Sequence, residues 1–127
     1  MQFATRLVVV VLSMLLASTV MASGSQAQSA YRRDAEAVAQ RIGCRLTETT
    51  VVAPSFDAAE CRLRGRKVVV LTFRGPREQA AWLRIVRAYD GFCVASKRGV
   101  IVEPDNGGRA VATVAARRLA GGRVVCG

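Results

Sequence analysis

The sequence predicts an α+β domain, built as a mainly antiparallel sheet of about five strands with helices packed on one face, in the order α-ββ-α-ββ-α-β. One observation favours this fold class, and a second locates the domain within the chain. Stretches with apolar residues at helical spacing alternate with pairs of short β-rich stretches joined by glycine-containing turns. An apolar leader precedes this pattern, and all four cysteines follow the leader. The pattern indicates the class, and the leader indicates where the domain begins.

The first 27 residues have the layout of a cleavable secretory signal peptide. Arg6 precedes the apolar run Leu7–Leu16, and the small residues that follow offer cleavage after Ala22 or Ala27. The run is shorter than the ~20 apolar residues that span a bilayer, so release is favoured over anchoring. The sequence therefore predicts a secreted, extracellular protein whose residues 28–127 form a single domain, with no transmembrane segment after cleavage.

A helix is predicted from Arg33, because apolar residues recur at the spacing of one buried helical face. That face consists of Ala35, Val38, Ala39 and Ile42. Gly43 has the position of a C-terminal cap. Thr47–Phe56 is β-branched but contains Pro54, and we predict a loop or a poor edge strand there.

The first predicted hairpin alternates apolar and basic residues. Cys61 and Leu63 would face the core, and the intervening arginines would face solvent. Gly65-Arg66-Lys67 predicts a tight turn, and Val68–Phe73 predicts the second strand. Gly75-Pro76 then breaks the strand and suits the first turn of a helix. The predicted core positions of that helix are Trp82, Ile85, Val86 and Tyr89.

The second half of the domain repeats this arrangement. Phe92–Ser96 and Gly99–Glu103 predict a hairpin around Lys97-Arg98. Pro104-Asp105-Asn106 predicts a turn with capping residues, followed by a helix through Leu119. The chain closes with a short predicted strand, Arg123–Cys126.

The four cysteines predict two disulfides, because an even count in a small exported domain is typical of a disulfide framework. They are Cys44, Cys61, Cys93 and Cys126. A zinc site is disfavoured, since the chain has no CxxC pair and no histidine. We prefer sequential pairing, Cys44–Cys61 and Cys93–Cys126, although the sequence allows all three connectivities.

The topology has one rival, a ferredoxin-like plait with an N-terminal extension, because the order from Val68 onward is β-α-β-β-α-β. In a plait the second and fourth strands lie on opposite edges of the sheet. Cys93 and Cys126 would then be too far apart to bridge. A sheet with those two strands side by side permits the bridge.

A set of spaced residues in the first half resembles a group of small exported actinobacterial proteins without an assigned function. The matching positions are Ile42, Gly43, Cys44, Ala59, Glu60, Cys61, Leu63, Gly65, Val68, Val69, Leu71, Thr72, Phe73, Ala81, Trp82 and Leu83. The resemblance covers about a third of the mature chain. It implies export and a disulfide between the first two cysteines, and it implies no activity.

The residue types available predict a protein without catalytic activity, cofactor or metal. The absence of histidine removes the usual Ser-His and Cys-His constellations. The nine acidic residues are scattered, and no phosphate-binding or calcium-loop motif occurs. Disulfide formation would leave no thiol nucleophile.

The charge predicts binding to something anionic. The chain carries 19 basic and 9 acidic residues, and removal of the leader with Arg6 leaves 18 against 9, or +9. The candidate polyanion patch comprises Arg62, Arg64, Arg66, Lys67, Lys97 and Arg98. Both hairpin turns would have to point to the same end of the sheet to form it. The competing interpretation is an ordinary solvated hairpin surface in an arginine-rich chain.

The function predicted from the sequence is therefore a secreted, basic binding domain for an anionic cell-envelope polymer or another protein, without sequence-specific recognition of nucleic acid. One alternative is a protease-inhibitor-like protein that uses the loop Thr49–Asp57, braced between Cys44 and Cys61. The other is a purely structural extracellular protein.

Overall fold

The computed structural model describes residues 30–47 and 55–127. The predicted signal peptide and most of the loop Thr49–Asp57 lie outside these residues. The described part contains three helices and six strands. In chain order they are α1 (Ala35–Arg41), β1 (Arg45–Leu46), β2 (Asp57–Leu63), β3 (Arg66–Thr72), α2 (Pro76–Ala88), β4 (Cys93–Lys97), β5 (Val100–Pro104), α3 (Arg109–Arg118) and β6 (Arg123–Cys126). None of the described helices is long and apolar enough to cross a membrane.

The six strands form one antiparallel sheet in the order β1-β2-β3-β5-β4-β6. This confirms the predicted α+β class and its mainly antiparallel sheet. The strand beyond the predicted five is β1, which places Arg45 opposite Arg62 and Leu46 opposite Cys61. Two residues at a sheet edge carry too little pattern to be recognised as a strand from sequence.

The ferredoxin-like plait is wrong, because β6 pairs with β4 on its outer side. That pairing sets Cys93 directly opposite Cys126, and the two are joined by a disulfide with a Cα–Cα distance of 4.1 Å. The other disulfide joins Cys44 to Cys61. Sequential pairing of the four cysteines is confirmed.

The helices pack on both faces of the sheet, whereas one face was predicted. Val68 and Val70 of β3 belong to a core cluster that includes residues of α1 and α3. Leu71 of the same strand belongs to a second cluster with Leu83 and Val86 of α2. Successive side chains of a strand point to opposite faces, so α2 lies across the sheet from the other two helices. The unbroken apolar runs of β3 and β5 are typical of strands buried on both sides.

Helix α2 is rotated relative to the prediction. Its buried residues are Gln79, Leu83 and Val86, at i, i+4 and i+7. Trp82 is half-buried, while Ile85 and Tyr89 are exposed. Of the four predicted core positions, only Val86 is therefore fully buried. The most hydrophobic positions of this helix predict the wrong buried face, because the face that is buried includes the polar side chain of Gln79.

Both hairpins have two-residue turns. Arg64 and Gly65 connect β2 to β3 with positive φ at both positions (50° and 72°), the pattern of a type I′ turn. The turn therefore precedes the predicted Gly65-Arg66-Lys67 by one residue. Arg98 and Gly99 connect β4 to β5, again within one residue of the predicted bounds.

Candidate functional site

The sheet separates the predicted polyanion patch into two parts. Strands β3 and β5 are antiparallel, with Val68 opposite Pro104 and Thr72 opposite Val100. The Arg64-Gly65 turn lies beyond the Val68 end of this ladder, and the Arg98-Gly99 turn lies beyond the Thr72 end. Six residue steps along β3 amount to about 20 Å, so the two basic turns occupy opposite ends of the sheet.

The first basic turn holds Arg62, Arg64, Arg66 and Lys67, all exposed. Its charge is partly compensated. Lys67 Nζ lies 3.5 Å from a Glu60 carboxylate oxygen. Asp105 and Asn106 line the same depression, of about 290 Å³, as three of the four cations. Glu60 is buried and Lys67 is exposed, so the ion pair is only partly solvated. The carboxylates of Glu60 and Asp105 weaken the attraction of this turn for an anion.

The second basic turn opens onto a larger depression, of about 440 Å³, which we call the cationic groove. It lies between the first half of α2 and the adjoining ends of β4 and β6. Lys97, Arg98 and Arg123 line it, and none of the described residues that line it is acidic. Arg123 reaches the groove because it sits opposite Ser96 in the β4–β6 ladder. Three cationic residues and no acidic one among the described lining residues leave the charge here less compensated than at the first basic turn.

A buried glutamine holds the groove's turn in place. Gln79 is 7% exposed, and its amide bridges from α2 to the β4–β5 turn. Its Nε2 donates to Lys97 O at 2.7 Å and at 3.3 Å to both Ser96 Oγ and Val100 O. Its Oε1 accepts from the Gly99 backbone N–H at 2.7 Å. Both halves of the amide are satisfied, as a buried polar group requires. The hydrogen bonds of Gln79 therefore hold the backbone of the turn that carries Lys97 and Arg98.

Tyr31 fixes the position of Arg98 from the side. The Arg98 guanidinium carbon lies 5.8 Å from the centroid of the Tyr31 ring, within the range of a cation–π contact. The segment with Tyr31 is held to the sheet because Arg32 N donates to Phe73 O at 2.7 Å. Tyr31 and Leu83 add apolar surface to the groove. A pre-positioned cation loses less side-chain entropy on binding an anion than a free one.

Lys97 and Arg98 belong to the patch predicted from the sequence, whereas Arg123, Gln79 and Tyr31 do not. The sequence marks Arg123 only as the start of a predicted strand, and no local signal pairs it with Ser96. The signal for Gln79 was available in part, since it shares a helical face with Leu83 and Val86. A polar residue on an otherwise apolar stripe indicates either a misplaced face or a buried hydrogen bond.

The described residues contain no group of three His, Cys, Asp or Glu side chains placed to hold a metal ion. All four cysteine sulfurs are engaged in disulfides. The chemistry that the groove offers is therefore electrostatic and hydrogen-bonding recognition of an anion. Comparison with family models, with curated proteins and with solved structures finds no match to this chain.

Proposed function

We propose that the protein is an exported, disulfide-stapled binding domain that holds anionic groups of a cell-envelope polymer in the cationic groove. The observation that carries the proposal is the set Lys97, Arg98 and Arg123 around a depression that has no acidic residue among its described lining residues. Two disulfides in a domain of this size support export, because such bonds persist in oxidising compartments.

A polymer fits better than a small anion. The mature chain, with 18 basic and 9 acidic residues, has a net charge of +9, which attracts polyanions at long range. The two basic turns lie about 20 Å apart at opposite ends of one sheet, a distance that a flexible polymer spans and a single phosphate or carboxylate does not. In this arrangement the groove supplies the specific contacts, and the first basic turn supplies a weaker second contact.

The test is a salt titration of binding to poly(glycerol phosphate), with the mature chain and a charge-matched pair of variants. Lys97→Gln, Arg98→Gln and Arg123→Gln together remove the groove cations. Arg84→Gln, Arg87→Gln and Arg117→Gln remove three exposed arginines that do not line the groove. Both triple variants lower the net charge by three, so any difference between them reports position.

We expect the groove variant to bind more weakly and to lose about two to three units from the slope of log K against log salt concentration, about one for each lost phosphate contact. The control variant is expected to change the slope by less than about one unit. Equal losses in the two variants would refute the groove and leave only non-specific attraction by net charge.

A further inference from the structure

The outward side of α2 exposes two large apolar side chains. Ile85 is 51% and Tyr89 is 63% exposed, and they are two of the three large hydrophobic side chains exposed among the described residues. Trp82 lies one turn earlier on the same stripe and is half-buried. Contiguous exposed apolar side chains on a small domain typically mark a binding surface.

This stripe borders a cavity of about 170 Å³, which we call the α2 pocket. It is lined by Ile85, Val86, Tyr89, Phe92 and Glu103. The rings of Tyr89 and Phe92 have centroids 6.4 Å apart and planes inclined at 56°. The α2 pocket is thus lined by aromatic rings and a carboxylate, whereas the cationic groove is lined by Lys97, Arg98 and Arg123.

Glu103 has no ionic partner in the described part of the chain, where the ion pair found joins Lys67 to Glu60. Burial raises the pKa of Glu103, and the neighbouring indole of Trp82 lowers it to a smaller extent. The indole Nε1–H lies near the carboxyl without completing a hydrogen bond of good geometry. A half-buried carboxylate without a cation is unexpected in a chain with 19 basic residues.

We propose that the α2 pocket binds an alkylated ammonium group, with the faces of Tyr89 and Phe92 and the carboxylate of Glu103 surrounding the cation. Aromatic faces attract cations through the ring quadrupole, and fully alkylated ammonium groups are the ligands that aromatic pockets with a nearby acid recognise. The walls besides Glu103 are apolar or aromatic, and they would contact the methyl groups.

The composition of the pocket also selects among cations. A guanidinium carries five N–H donors and a primary ammonium carries three, and each needs acceptors when it is desolvated. Among the described residues that line the pocket, Glu103 carries the only carboxylate. A quaternary ammonium has no N–H donor, so a single carboxylate and a π surface suffice for it. The proposal does not depend on the cationic groove, which lies at the other end of α2.

The chain carries its own reporter for the test, because Trp82 is the single tryptophan and lies beside Glu103. The mature protein is titrated with tetramethylammonium chloride, and sodium chloride at equal concentration serves as the reference. We expect a saturable change in Trp82 fluorescence with the organic cation and none with sodium. The absence of a saturable change would overturn the proposal.

Three variants test the residues. Glu103→Gln keeps the shape and removes the charge, and Tyr89→Leu removes an aromatic face at an exposed position. Each should weaken tetramethylammonium binding by at least about fivefold. Asp105→Asn removes an exposed carboxylate close by in the chain but outside the pocket, and it should bind like the wild type. Wild-type affinity in Glu103→Gln, or an equal loss in Asp105→Asn, would refute the site. Near-UV circular dichroism confirms that each variant is folded.

Competition experiments then identify where the ammonium group comes from. Displacement of tetramethylammonium by free choline but not by phosphatidylcholine vesicles would assign the pocket to a soluble amine. Displacement by the vesicles as well would assign it to a lipid headgroup at a membrane surface. Poly(glycerol phosphate) binding by Glu103→Gln should remain that of the wild type, which separates this site from the cationic groove.

Discussion

Replacement of Gln79 by methionine tests whether the buried amide organises the cationic groove. Methionine is unbranched and similar in length, so the change removes the hydrogen bonds and largely preserves the packing. Two of the four bonds are short, to Lys97 O and from the Gly99 N–H, both at 2.7 Å. The loss of both, with buried backbone groups left unpaired, costs about 3 kcal/mol. Burial of the thioether offsets about 1 kcal/mol of this.

The expected net loss is therefore about 2 kcal/mol in the free energy of unfolding. For a domain of this size, that corresponds to a decrease of about 8–16 °C in Tm. The measurement is urea and thermal denaturation of the mature chain with its disulfides intact, followed by far-UV circular dichroism. Gln40→Met, at an exposed position of α1, is the matched control and should change the stability by less than about 0.5 kcal/mol.

A stability of Gln79→Met within about 0.5 kcal/mol of the wild type would refute the role assigned to the amide. Binding should weaken as well, because the turn that carries Lys97 and Arg98 loses the hydrogen bonds from Gln79. Folded Gln79→Met should bind poly(glycerol phosphate) more weakly than Gln40→Met, although neither substitution changes the charge.

Two further predictions concern the α2 side of the sheet. Glu103→Gln should be more stable than the wild type near neutral pH, because the raised pKa of Glu103 makes its ionised form unfavourable in the folded chain. The advantage should disappear as the pH falls below the ordinary value of 4.5, where the carboxyl is protonated in both states, and urea midpoints from pH 4 to 8 would show it. An advantage that grew as the pH fell would contradict the assignment. Gly107→Ala should destabilise by about 1–3 kcal/mol more than Gly65→Ala. Both glycines have positive φ, but only at Gly107 would a Cβ collide with the Phe92 ring, so equal losses of Tm would contradict the packing described.

The local features of the fold could be predicted from the sequence. The helical spacing of Ala35, Val38 and Ile42 located α1, and Gly43 marked its end with a φ of 70°. The alternation of Cys61 and Leu63 with arginines assigned the correct faces of β2. These signals involve only residues that are a few positions apart, so they can be read directly from the sequence.

The features that could not be predicted from the sequence depend on contacts between residues that are far apart along the chain. The two basic turns lie at opposite ends because β3 pairs with β5, and no residue in either hairpin specifies that register by itself. The rotation of α2 depends on Gln79, whose hydrogen-bond partners lie 17 to 21 positions further along the chain. Arg123 joins Lys97 and Arg98 through the β4–β6 ladder, which also excluded the plait.

The arrangement of the two disulfides has a consequence for how the chain is oxidised and cut. Cys44 and Cys61 are 17 residues apart, Cys93 and Cys126 are 33 apart, and the two covalent rings do not overlap along the chain. In each ring the native partner is the next cysteine along the chain, so each bond closes within its own half of the domain. A single backbone cut in α2, which lies in neither ring, leaves two separate pieces associated mainly through the β3–β5 ladder. The domain therefore consists of two disulfide-closed segments, one after the other along the chain, which noncovalent contacts such as the β3–β5 pairing hold together.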